Sequence, residues 1–293
     1  MYAEPSSSAN LIMIMQSLVL PLAVALFGLL VWWLNRRNIP RATLVIVPFI
    51  AIGFWASFSW IQDRLGLPPQ QAMDILIPLL LVSVIFELAS HWVNLSGLWK
   101  VVLSLVAFMG FIIWMLYPIL SRADAVEIVL ILVSAAILYL VLQISFSNPA
   151  NSSVSNGVGL YLAAVAAPLF ALDGTLKLAQ ISGALAAGLG VIWLAGLLFS
   201  RKISAVQQYT EGMFAVRFVT PMMVTALYVA AHQYADVNPY ALLLVCLGIV
   251  IVTLIRRWWP IASIWGDNIR VMVLGLLPFA AALWLIWPEE SLY

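Results

Sequence analysis

Charge is scarce in this chain. Of its 293 residues only 9% are Asp, Glu, Lys or Arg, against 65% hydrophobic, where a soluble domain carries about a quarter charged residues. A soluble globule of this length could not hide so much apolar surface, because small domains leave a large share of their area in water. The bilayer must therefore be the solvent. The net charge of +1 argues against a nucleic-acid partner, which would need a basic face to neutralise phosphates.

Cysteine and histidine are nearly missing. Cys246 stands alone, so there is no internal disulfide and no C-x-x-C pair. The two histidines, His91 and His232, are expected at opposite ends of the membrane, too far apart to share a metal or clamp a haem. There is no H-E-x-x-H, no phosphate loop and no G-x-S-x-G elbow. No catalytic, cofactor-binding or metal-ligating residue is assigned on these grounds, and the chain is expected to be non-catalytic and cofactor-free. The opening "MYAEPSSSAN" has no basic residue before the first apolar run. A cleaved signal peptide would have a positive start and a shorter apolar core, so 11–34 reads as a retained span.

What the chain does have is apolar runs of membrane-crossing length. A helix needs about 20 such residues to span the hydrocarbon core. Ten segments fit: 11–34, 43–61, 73–91, 97–118, 124–146, 157–172, 180–199, 214–233, 239–255 and 269–287. The expected fold is an all-α polytopic membrane bundle of about ten helices, residues 1–293 forming one transmembrane domain. The longest polar stretch, "SFSNPANSSVSNG" at 145–157, divides it into halves 1–147 and 148–293 of five spans each. An odd number of spans per half would invert the second half relative to the first, although the two share no evident sequence match.

Orientation follows from lysine and arginine. With alternating spans, ten of the 13 basic residues lie on one face: Arg36, Arg37, Arg41, Lys100, Arg201, Lys202, Arg217, Arg256, Arg257 and Arg270. The other face has only Arg64, Arg122 and Lys177. The basic face is expected in the cytoplasm of a bacterial-type inner membrane, with both termini outside. Trp32 and Trp33 beside Arg36, Trp258 and Trp259 beside Arg257, and Trp60 and Trp287 at the outer ends fit headgroup-level anchors.

Few polar residues interrupt the spans. In "SVIFELASHW", residues 83–92, Glu87 and His91 are one helical turn apart, hence on one face. Lys100 opens the next span and can extend its stem to the same level. Glu87, His91 and Lys100 are expected to form a polar cluster tying two helices together near the basic face; a site for an ion or proton at that mouth is the sharper alternative. In "ALDGTLKLAQ", Gly174 predicts a turn, with Asp173 capping the next helix. Beyond it, Ser182, Ala186 and Gly190 recur every four residues, as do Gly183 and Ala187. Small residues at that spacing let helices approach closely in lipid. The lipid bilayer is one partner; this helix face suggests others, in other membrane proteins or a second copy of the chain. The functional expectation is a membrane-embedded subunit or scaffold of a larger assembly. The alternative is a transporter or channel for a neutral or lipid-like solute.

Overall fold

A computed structural model describes residues 7–39, 41–93, 95–147, 152–200, 214, 216–259 and 264–287. Helices fall at all ten expected places. They are α1 (Ser7–Ile14), continued through a π turn into α2 (Leu20–Asn35); α3 (Thr43–Gln62); α4 (Leu76–Ala89), entered by a 3-10 turn at Ala72–Ile75; α5 (Gly97–Leu120); α6 (Ala125–Ser147); α7 (Ser152–Asp173); α8 (Leu176–Ser200); α9 (Val219–Ala235); α10 (Pro239–Trp258); and α11 (Ile264–Leu285). No strand occurs among the described residues. The chain is an all-α polytopic membrane protein. Eight of these segments are long and apolar enough to cross a bilayer on those criteria alone, while α9, at 17 residues, is shorter.

Local chemistry sets several boundaries. Pro21 lacks the N–H that would bond Ser17, so the ladder cannot continue evenly there; just before it, Leu20 N–H reaches Met15 and the turn widens to π geometry. Asn238 caps α10 by accepting the Tyr240 N–H at 2.9 Å, with Pro239 in the first turn, where its missing donor is harmless. Pro78 and Pro221 are each the third residue of their helix, α4 and α9, and are tolerated for the same reason. Asp124 caps α6 through the Glu127 N–H at 2.8 Å.

The described residues of the expected polar loop at 145–157 are helical: α6 runs to Ser147 and α7 begins at Ser152. Two of its side chains find partners, which lets them sit in a helix. Ser155 donates to the Ser145 carbonyl at 3.0 Å, and the Asn156 amide to the Phe214 carbonyl at 2.6 Å. Gly174 does mark a turn, but Thr175 caps α8. Asp173 instead accepts the Asn238 N–H at 2.6 Å, joining the α7–α8 turn to the α9–α10 turn.

The core is built around α8, which packs against α2, α3 and α7. Its small residues point to different neighbours. The Ser182 hydroxyl donates to the Ala163 carbonyl of α7 at 2.8 Å. A Cβ at Gly183 would lie 3.6 Å from Ser17, one at Gly190 3.7 Å from Leu160, and one at Gly188 only 2.8 Å from Ile50. Ala186 and Ala187 are buried. These residues therefore close-pack the chain on itself. Trp32 likewise leaves the headgroup belt: it is buried, edge-on to Phe199 and Phe214, with its indole N–H on the Ile39 carbonyl. Trp33, Trp60, Trp258, Trp259 and Trp287 are exposed as expected. Arg201, Lys202 and Glu289 lie outside the described residues.

Candidate functional site

Two places among the described residues stand out. The first is the C-terminal end of α4, at the basic face. Glu87 is fully buried, and its Oε2 accepts the backbone N–H groups of Arg217 and Phe218, both at 2.7 Å. Phe218 is the residue that enters α9. The carboxylate thus sits on the N-terminus of another span, where unsatisfied N–H groups and the helix dipole favour negative charge. Glu87 Oε1 has no hydrogen-bond partner among the described residues.

His91 and Lys100 lie nearby but bond elsewhere. Arg41 donates to His91 Nδ1 at 3.0 Å, and His91 Nε2 lies 3.2 Å from the Thr43 hydroxyl. Arginine can only donate, so Nδ1 is the acceptor and the ring proton is on Nε2. Lys100 Nζ donates to the Ser90 carbonyl at 2.9 Å. The three residues gather at one helix end, as the spacing predicts, but through Arg41, Thr43 and the 217–218 backbone rather than through one another. Burial holds the half-buried His91 imidazole below its usual range, at about 4, and the charges of Arg41, Arg217 and Lys100 push the same way.

The second place is a cleft of about 600 Å³ between α6, α9 and α10, within the size range of ligand pockets. Along α6 it runs from Leu130 to Val141, and along α10 from Pro239 to Val250. Eleven residue steps at 1.5 Å each make it about 16 Å deep on either wall. On α10 it starts at the helix's first residue, while on α6 it starts five residues in and runs past that helix's middle. His232 and Gln233 stand at its mouth, with Ser134 and Cys246 on its walls. Its remaining lining is apolar apart from the buried Tyr228, whose hydroxyl donates to the Leu162 carbonyl at 3.1 Å. Leu130, Ile137, Leu243 and Leu247 on its edges are exposed, which leaves it open sideways to lipid.

No protein-family model, curated protein or solved structure matches this chain.

The cleft had no legible signal in the sequence. Its walls are leucines and valines like those of every other span, and only the meeting of three helices makes them a site. Arg41 and Arg217 were visible as basic residues, but their convergence on α4 depends on chain pairs 50 and 130 residues apart.

Proposed function

We propose that this protein takes a lipid-like solute into the cleft between α6, α9 and α10 and passes it from one leaflet to the other, as part of non-catalytic transport. The carrying observation is the cleft's form: about 16 Å long, apolar along its length, open sideways, with His232 and Gln233 near the end of α9. An amphiphile entering from the leaflet would keep its tail in apolar surroundings and its polar end beside groups able to hydrogen-bond. The subunit or scaffold reading stands as the alternative; of its helix face, Ser182, Ala186 and Ala187 are buried within the chain. We further propose that the basic face is cytoplasmic in a bacterial-type inner membrane, on the strength of ten of the 13 lysines and arginines.

The test is reconstitution into liposomes carrying a fluorescent phospholipid in both leaflets, with a membrane-impermeant quencher outside. Purified protein should quench the inner-leaflet lipid well above the protein-free rate. Ser134→Trp, which fills the cleft from α6, should return the rate towards that background. A wild-type rate equal to protein-free vesicles, or an undiminished rate in Ser134→Trp, rejects the proposal.

A further inference from the structure

We propose that the basic rim around the end of α4 binds a phosphate group, supplied by the headgroup of an anionic lipid. Arg41 precedes α3, His91 comes just after α4, Lys100 lies in the first turn of α5 and Arg217 leads into α9. Hydrogen bonds tie all four to one place: Arg41 to His91, Lys100 to the carbonyl of Ser90 beside it, and the Arg217 N–H to Glu87 one turn earlier. The charges of Arg41, Arg217 and Lys100 all act on His91, so three cations stand around a neutral imidazole. The one carboxylate close by, Glu87, is buried and turned to backbone N–H groups. Among the described residues the ion pairs are Arg64–Asp74 and Arg270–Asp267, so none of these three cations has an acidic side-chain partner there.

The donors are in surplus. The Arg41 side chain carries five N–H groups and that of Lys100 three, and His91 and the Ser90 carbonyl take one from each. Such a set of donors, held by four different segments, suits the several oxygens of a phosphate, which arginine can grip with two parallel bonds. Clustered cations repel one another, and an anion among them removes that cost. The setting names the source. Trp92, Leu95, Leu98 and Trp99 are exposed on the same connection, an apolar rim at headgroup level that a lipid would touch and a free ion would not. Basic pockets between membrane helices commonly hold anionic headgroups. The cleft between α6, α9 and α10 opens at the other face, so the two sites stand independently.

Full-length protein in mild detergent would be titrated with short-chain phosphatidylglycerol and, separately, phosphatidylcholine, with bound lipid counted by native mass spectrometry. The wild type should prefer phosphatidylglycerol. Arg41→Gln and Lys100→Gln should each weaken that lipid about fivefold, the effect of one basic residue at an anionic surface, and leave phosphatidylcholine unchanged. Arg122→Gln, on the opposite face, should change neither. Where Arg41→Gln fails to fold, Arg41→Lys takes its place, and the preference should still fall. If inorganic phosphate raises the wild-type melting temperature but not that of Lys100→Gln, while neither lipid is preferred, the lipid source is overturned. Equal binding of both lipids without a phosphate effect, or an undiminished preference in the variants, overturns the site itself.

Discussion

Glu87 ties the end of α4 to the start of α9 through one carboxylate. It takes two backbone N–H groups that lie at the start of a different span. Glu87→Ala would leave both buried donors without their acceptor, at roughly 1–3 kcal/mol each. Glu87→Gln keeps one acceptor oxygen and should cost less. Thermal unfolding in detergent should rank wild type above Gln above Ala; an Ala variant as stable as wild type would show that the contact carries no weight. His91 gives a pH signature. Its folded value, about 4, lies below the free value of 6.5. Between the two the unfolded chain binds the extra proton, so stability falls as pH drops through that window and is complete above it. Between pH 7.5 and pH 5 the wild type should lose more melting temperature than His91→Gln does; equal changes in the two would show that the imidazole contributes nothing.

Among elements, α8 is the one on which the others are laid. Gly188 has no room for a side chain: even a Cβ would come within 2.8 Å of Ile50. Gly188→Leu should force α3 away and cost more than the roughly 1–3 kcal/mol typical of overpacking. Gly183→Leu, with 3.6 Å to Ser17, should be milder and push on the π turn. Ranking the two variants by melting temperature checks the packing directly. Helix positions were legible in the sequence, because a span needs a fixed length of apolar residues and little else. The direction of each helix face was not. Trp32 looks like any interfacial tryptophan until Phe199 and Phe214 close on it. The four-residue spacing of small residues on α8 announces close packing without saying whether the neighbour belongs to the same chain. For the polar residues, local spacing brought Glu87, His91 and Lys100 to one helix end and could go no further, since their partners arrive from distant segments.

At the scale of the molecule, the two faces differ in charge, and contacts join connections expected on the same side. Arg41 meets His91 at one end, while Asp173 meets Asn238 at the other. Alternating spans with the basic face in the cytoplasm put the C-terminus outside. Alkaline phosphatase fused after Tyr293 should therefore be active in a bacterial host, and a cytoplasm-only reporter at that position should be silent. The opposite result would reverse the orientation or change the number of crossings.

The bond from Glu87 to Arg217 also sets an order of assembly. The two residues are 130 positions apart. At a synthesis rate of about 5–20 residues per second, the ribosome makes the carboxylate roughly 7–26 s before the amides that receive it. During that interval α5, α6, α7 and α8 are synthesised and enter the membrane. The nascent chain must shelter an acidic side chain in the insertion machinery or at the membrane rim until α9 arrives. Stalling translation between Ser200 and Arg217 would trap the chain with its fourth helix in place and its latch open, the stage at which a quality-control protease should find it most easily.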